Sequence, residues 1–406
     1  MNALPERLPT AAAPPAGECS VEIGFDLDRA RPQWTALDDG SLPFQSRAWL
    51  EPWFRIVAPH IGASPVLVTV RIAATARPVM FFPLCLRRWR GLRLIEFAGP
   101  AVSDYNAPLV ADGFDAEAEV LDAIWRRVLR ALPSCDLVRL ERIPERILGR
   151  AIAVARLRGL QPMDLGAWTL ELPASFGDYE DRVVTAKVRK ENRRKTRRLQ
   201  DKVGDFVLER ARTAQATEAM LEALRRQRAA RFGCENILDR PCFLAFYREI
   251  VCADPGGFAE MWALKAGERI LATQFALRGP QAYLLIMHGF DATIESGSTG
   301  IVAIEQAIRR RIELGDRYFD FTIGNESYKL QFGVKRITLY RGLYPVSALG
   351  RASIFAHATV KRGLAAVRAI QGSRARLNPA PASASGRMAA APERQPEQPR
   401  SPASPA

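Results

Sequence analysis

The residue pattern predicts a mixed α/β (α+β) protein made of two tandem units, each a central mixed β-sheet flanked by helices. Three observations carry this. Apolar runs of strand length are separated by helix-length amphipathic segments. Three hairpin-linked strands are followed by helix, strand, helix and strand. That order occurs in both halves of the chain. The 406 residues suffice for two domains. A hydrophobic share of 48% against 25% charged excludes a fibrous or mostly unstructured chain.

In the first half, residues 44–57 read as a helix with Trp49, Trp53, Phe54 and Val57 on one face. Strands are expected at 65–72, 78–86 and 92–99, then a helix at 116–132, a strand at 136–142, a helix near 147–157 and a closing strand at 168–172. The second half repeats this grammar. A strand at 205–212 and helices at 214–231 and 242–251 precede strands at 258–265, 269–278 and 281–290. Polar turns at Ala266-Gly267-Glu268 and Gly279-Pro280 join these three. A helix over 301–314, a strand over 317–323, a helical segment near Ser327 and a strand over 336–342 complete it.

Residues 1–18 are Ala/Pro-rich and 373–406 are Pro/Ala/Ser-rich without large apolar side chains, so both ends read as disordered. Between them lie an N-terminal domain, 19–175, a connecting segment, 176–204, and a C-terminal domain, 205–372. The connector holds the densest charge, Arg182 to Lys202, in good helix formers without Pro or Gly. It reads either as a solvated helix or as a surface for an anionic ligand.

Net charge is +14, from 58 Lys and Arg against 44 Asp and Glu, which favours anionic partners without choosing among them. The longest apolar runs, Val79–Leu86 and Ala282–Met287, fall far short of the roughly 18 residues that span a bilayer. An early acid and prolines stand where a signal peptide is apolar, and the six cysteines form no C-x-x-C pair. A cytoplasmic location is therefore expected. With three histidines in the chain, no metal site is expected.

Two stretches carry candidate chemistry. In Gly289 to Glu305 a strand ends, a small-residue loop comes next and a helix begins near Gly300. Gly297, Ser298, Thr299, Gly300 and Ile301 read either as an ordinary capped helix start or as backbone amides aimed at a phosphate. The spacing is neither G-x-G-x-x-G nor a Lys-bearing phosphate loop. In Tyr318 to Gly333, Asp320 alternates with Phe319 and Phe321 and so faces the other side of its strand. It is either satisfied by amides or an arginine, or is a base or positioning group. Tyr328 and Lys329 come after a turn at Gly324. Lys329 is either an ordinary surface lysine or a contact for an anionic ligand.

These stretches belong to a longer series: Phe44-Gln45-Ser46-x-x-Trp49-Leu50, Gly99-Pro100-x-x-Ser103-Asp104-Tyr105, the basic helix, Gly289-Phe290-Asp291, and Phe319-Asp320-Phe321-x-x-Gly324-x-Glu326-x-Tyr328-Lys329-x-x-Phe332. In this order they resemble the GNAT-superfamily acetyltransferases of the cellulose-biosynthesis type, relatives of the Fem-type aminoacyl transferases. The resemblance spans roughly residues 40 to 345. It implies two tandem GNAT-like domains, with acetyl-CoA or another acyl-CoA as donor and no metal. The donor pyrophosphate would lie on Gly297–Ile301, where Ser298-Thr299-Gly300 stands in place of the family's Pro-Gly or Gly-x-Gly-like sequences. The matching place in the first half, Gly99 to Tyr105, looks less like a phosphate cradle, so only the second half is expected to bind CoA.

The implied chemistry is direct acyl transfer to an amine or hydroxyl, with Asp320 and His288 handling the proton and Tyr328 protonating the CoA thiolate. Asp104, Tyr105 and Lys329 would line the acceptor side. For His288 a satisfied strand-end histidine, and for Asp104-Tyr105 a structural turn, stand as alternatives. Family association points to an exopolysaccharide or sugar-nucleotide precursor as acceptor. Two other readings remain: a Fem-like transferase using aminoacyl-tRNA, and a non-catalytic anion- or nucleic-acid-binding protein. The aromatic–basic interleaving of single-strand binders is missing from the sequence.

Overall fold

The computed structural model describes residues 16–294 and 298–356. The ends read as disordered fall largely outside these residues; Ala16–Glu18, at the edge of that expectation, forms a single 3-10 turn. Among the described residues, those through Ala352 make one compact unit.

The first half opens with strand β1 (Cys19–Gly24) and helices α1 (Leu27–Leu37) and α2 (Arg47–Ile56). Asp26 caps α1 through the amides of Asp28 and Arg29, and Ser46 caps α2 through that of Trp49. Strands β2 (Ser64–Ile72), β3 (Pro78–Trp89) and β4 (Leu92–Phe97) form a meander, and β5 (Leu109–Val110) pairs briefly with β3. Helix α3 (Ala118–Ala131) leads to β6 (Leu137–Pro144). The helix expected near 147–157 is not there. Leu148 and Gly149 both have positive φ, 48° and 79°, which turns the chain tightly between β7 (Arg146–Ile147) and β8 (Arg150–Ala151), and only a 3-10 turn, Ala153–Arg156, comes after. Strand β9 (Gln161–Glu171) is much longer than its apolar end predicts.

A short turn, α4 (Phe176–Asp178), and a π-turn (Tyr179–Val183) precede the basic helix α5 (Ala186–Val203). Thr185 caps α5, which ends at Gly204 with φ 77°. The second half then runs β10 (Val207–Arg210), α6 (Ala214–Phe232), α7 (Pro241–Cys252), β11 (Ala259–Ala266), β12 (Arg269–Gly279), β13 (Ala282–Phe290), α8 (Thr299–Glu313), β14 (Tyr318–Ile323), the 3-10 segment Ser327–Phe332 and β15 (Lys335–Pro345). The repeat is therefore fuller than the sequence predicts, because β1, α1 and α2 match β10, α6 and α7.

Both halves share one sheet, ordered β1-β2-β3-β4-β6-β15-β9-β14-β13-β12-β11-β10. Its pairs are antiparallel except β4 with β6 and β13 with β14. The halves exchange their last strands. β9, from the first half, pairs with β14, while β15, from the second, pairs with β6. β9 and β15 also pair with each other.

One core packs α1, α2, α6 and α7 on the sheet and includes Trp34, Phe44, Trp49, Trp53, Phe246 and Phe275. Trp49 meets Phe246 edge-on at 4.9 Å, tying α2 to α7 across the halves. Under α8 a second core gathers Tyr283, Leu285, Ile304, Ile308, Phe319 and Phe321. All six cysteines are free.

A buried ion network closes the second half. The guanidinium of Arg311, 1% exposed, bonds Glu260 at 3.1 Å and also Asp316. Arg210 reaches Glu260 at 3.0 Å, Arg278 reaches Asp316 at 3.4 Å, and the Trp262 indole donates to Glu260. Strands β10, β11 and β12, helix α8 and the turn after it are thus joined through charge. Removing one member leaves an uncompensated buried charge. Arg311→Leu is expected to cost about 3–5 kcal/mol, read as a lower urea midpoint at unchanged m-value.

Candidate active site

Two parallel strands usually stay in step, but β13 and β14 do so only from Ala282–Leu284 against Tyr318–Asp320. β13 runs on to Phe290 and β14 to Ile323, so the strands diverge and leave a wedge. The pairing of β14 with β9 is irregular between Asp320 and Ile323, and Thr322 lies there at φ 53°. A β-branched residue in the left-handed region is strained. Thr322 is held by its amide donating to Asp320 Oδ1 at 2.6 Å and its hydroxyl to the Leu285 carbonyl at 3.2 Å.

The first half has the same divergence, since β4 and β6 pair only at Leu94–Glu96. There the gap is filled: the Asn106 amide donates to the Arg142 carbonyl and its side chain to that of Glu141. The chain between β4 and α3 is long and folds back into its own wedge, whereas α8 begins soon after β13.

Asp320 faces the α2/α7 side, away from Phe319 and Phe321, and is 0% exposed. The Tyr105 hydroxyl, from the other half of the chain, donates to its Oδ1 at 2.7 Å. Tyr105 is placed by the motifs picked out in sequence. Its carbonyl accepts from Gln45 at 2.9 Å, and the Gln45 carbonyl accepts from Trp34 at 2.8 Å. Ser103 Oγ takes the Trp49 indole proton at 3.0 Å, and Arg142 donates to the Ser103 carbonyl at 2.8 Å. Gly99, at φ 87°, has no room for a side chain, because a Cβ would come within 2.2 Å of Ser103 Oγ.

Burial pushes the Asp320 carboxyl up to about 7, against the pull of Tyr105, the Thr322 amide and Lys329. Its Oδ2 is buried with no hydrogen-bond partner among the described residues. Burial, and then Asp320, raise Tyr105 well above the ordinary phenol. Asp104, half-buried beside them, is raised by burial and lowered by Arg142, Thr322 and Lys329.

Lys329 is 3% exposed, not a surface lysine. Its ammonium donates to the carbonyls of Phe321 at 3.2 Å and Ile323 at 2.8 Å and pairs with Glu326 at 3.1 Å. These bonds tie the end of β14 to the segment after it, so Lys329 works as a clamp on that turn.

His288 and α8 form the other part of the site. A bulge in the β12–β13 pairing between Phe275 and Ala276 sets the face of His288, and its ring lies over the first turn of α8. A Cβ on Gly300 would come within 2.6 Å of Nε2 and 3.0 Å of Phe290. Gly300 is therefore what lets the imidazole reach the helix start. Burial, with Arg231 and Arg228 adding repulsion, pushes His288 down to about 4, so it is neutral at neutral pH. Its Nδ1 is buried without a partner among the described residues. Ser298 and Thr299 are buried, and the Ser298 side chain makes no capping bond. Gly297 lies outside the described residues. The Tyr328 phenol is pushed up to about 12 by burial and Glu326, with Arg231 pulling down.

The structure thus brings Asp320, Tyr105, Asp104 and Lys329 together at the end of β14, and His288 together with Ser298–Ile301 at the end of β13. Arg231 acts on both His288 and Tyr328. Sequence reading misses Thr322, whose strain no local pattern announces, and Arg228 and Arg231, which read as two more charges on a helix. Among the described residues, no group of three or more His, Cys, Asp or Glu gathers as metal ligands, and no helix is long and apolar enough to cross a membrane.

The raised Asp320 value makes stability pH-dependent with a definite sign. Between the ordinary carboxylate value and about 7 the folded state holds a proton that the unfolded state has released. Over that window each pH unit costs about 1.4 kcal/mol through this group. Asp320→Asn is expected to gain stability relative to the parent as pH rises from about 4.5 to 7 and no further above it, read from urea midpoints across pH.

Residues 186–330 match the family described as an acetyltransferase (GNAT) domain. No curated protein shows significant sequence similarity to the chain. Among solved structures, FemX aligns with TM-score 0.52 at 10% identity, covering 79% of this chain and 96% of that one. A conserved protein of unknown function from Bacteroides thetaiotaomicron VPI-5482 aligns with TM-score 0.49 at 11% identity, covering 80% and 99%. A tandem GNAT protein from the clavulanic acid biosynthesis pathway aligns with TM-score 0.44 at 13% identity, covering 81% and 99%. The chain has a GNAT acetyltransferase-like fold, and its matched domain contains His288, the start of α8 and Asp320.

Proposed function

We propose that the protein is an acyl-CoA-dependent acyltransferase, with acetyl-CoA as donor and an amine or hydroxyl as acceptor. The observation that carries this is the early parting of β13 from β14, with a neutral imidazole and a helix start on one side of it, inside the residues that match the GNAT family. First-turn amides have no partner further back in their helix, and the helix dipole adds positive potential, so the start of α8 suits the donor pyrophosphate. The filled wedge of the first half supports a single donor site.

Bound acetyl-CoA would supply a thioester whose acyl carbon is taken by the acceptor and whose sulfur leaves as a thiol. His288, neutral and at the wedge, accepts the proton of the attacking amine or hydroxyl. Tyr328 holds the proton that the departing sulfur takes up. Asp320 and Tyr105 have no solvent-exposed surface, so their role is positioning: they hold Thr322 and thereby the width of the wedge. Asp104, half-buried beside them, remains the acceptor-side candidate. An exopolysaccharide or sugar-nucleotide precursor, in the manner of the cellulose-biosynthesis type, is the proposed acceptor class. A CoA thioester is a cytoplasmic donor, which supports a cytoplasmic site of action.

A second reading is an aminoacyl-tRNA donor. It is favoured by α5, where Lys187, Lys190, Arg197 and Arg198 make no ion pair among the described residues, although Arg189, Arg193 and Arg194 are paired with carboxylates. An anionic ligand along 182–202 is part of the same proposal.

Calorimetric titration with acetyl-CoA at low and moderate salt separates the two. Salt-tolerant binding, lost in Gly300→Trp, is the expected result. No binding at either salt, with tRNA retained in a steeply salt-dependent way, replaces the CoA reading by the tRNA one. In the acyl-transfer assay His288→Gln is expected to lower kcat by about 10²–10⁴-fold at unchanged acetyl-CoA affinity. The acid limb of kcat/KM is expected near pH 4, with activity lost as pH falls through the His288 value.

A further inference from the structure

Neighbouring residues of β13 face opposite sides of the sheet. His288 meets Gly300 of α8, while Gly289 meets Leu224 and Gln227 of α6, where a Cβ would come within 2.9 Å of Gln227. The Gln227 side chain also accepts from Thr273 at 2.6 Å. Helix α6 therefore covers the face of the wedge opposite the one on which α8 begins. One residue beyond Gln227 is Arg228, and one turn further is Arg231.

Both guanidinium groups lie over the Phe232 ring, at 4.6 Å and 5.0 Å from its centre. Neither forms an ion pair among the described residues, although the other arginines of α6 do: Arg225 pairs with Glu222 and Asp239, and Arg226 with Glu222. Arg228 Nε is buried and has no hydrogen-bond partner among the described residues. Burial pulls the Arg228 value down, Tyr247 opposes it and Arg231 adds to it. Leaving a buried guanidinium N–H unsatisfied is costly, and stacking on an aromatic face compensates only in part. Guanidinium forks are matched by the planar or tetrahedral oxygens of carboxylate and phosphate.

We infer that Arg228, with Arg231 beside it, binds an oxyanion of the acceptor, a phosphate or carboxylate group, on the face of the sheet opposite the donor. This rests on the acyl-transfer reading and narrows the acceptor to an anionic molecule. The two substrates then enter the wedge from opposite faces, and the acceptor's nucleophile meets the acyl carbon near His288.

The test uses the full chain labelled with 15N-arginine. The Arg228 Nε–Hε signal is identified by its loss in Arg228→Lys, or, should that variant not fold, by its shift in Phe232→Leu, where the ring current is gone. Inorganic phosphate is titrated at constant ionic strength, with and without saturating acetyl-CoA. The expected result is a saturable shift of the Arg228 signal, unchanged by acetyl-CoA, with Arg231→Gln weakening the apparent Kd about tenfold. An Arg228 signal that phosphate does not move overturns the inference. A phosphate shift abolished by acetyl-CoA also overturns it, because the site then belongs to the donor. Phosphate binding at Arg228 without any acetyl-CoA binding leaves the oxyanion site standing and counts against the CoA reading alone.

Discussion

Everything in this molecule hangs on the exchange of last strands between its halves. Each half holds a parallel pair, β4 with β6 and β13 with β14, whose outer member needs a further antiparallel neighbour. In each case the other half supplies it. Buried peptide groups must be paired, so neither half satisfies its own sheet. The exchange also brings the loop carrying Tyr105 against Asp320, a contact between residues 215 apart in sequence.

That contact sets the geometry of the wedge. Asp320 holds the amide of Thr322, Thr322 holds the carbonyl where β13 leaves its partner, and Lys329 ties down the end of β14. A strained residue persists only where its surroundings over-determine it, and here three polar anchors do so. Two wedges of the same design have different fates because the chain leaves them differently. After β4 a long loop returns to fill the gap, and after β13 a helix begins almost at once.

Much of this was legible in sequence. The mixed α/β class, the three-strand meanders, helices α3, α6 and α8 and the basic α5 are all read from apolar period and helix-forming composition. The short motifs proved informative in a way their separate readings did not show. Gln45 and Tyr105 form a chain of hydrogen bonds that ends on Asp320, and Trp49 separately holds Ser103 in the loop that carries Tyr105. The features that sequence could not show are set by long-range pairing. Strand β1 and helix α1 carry weak local patterns and are fixed by β2 and the core. The segment 147–157 has helical composition, but the left-handed Leu148–Gly149 turn prevails. Lys329 looks like a surface lysine until the fold wraps carbonyls around it. The exchange of β9 and β15 has no local signature at all.

That exchange has a consequence for synthesis. When the first half emerges from the ribosome its strand β6 has no neighbour on one side, because that place belongs to a strand ending at Pro345. The nascent chain carries an open sheet edge from the synthesis of β6, which ends at Pro144, until that of β15, which ends at Pro345. Such edges recruit other chains, and contacts of this sequence separation form slowly. A chain wired in this way leaves that edge free to pair with other chains until β15 is made.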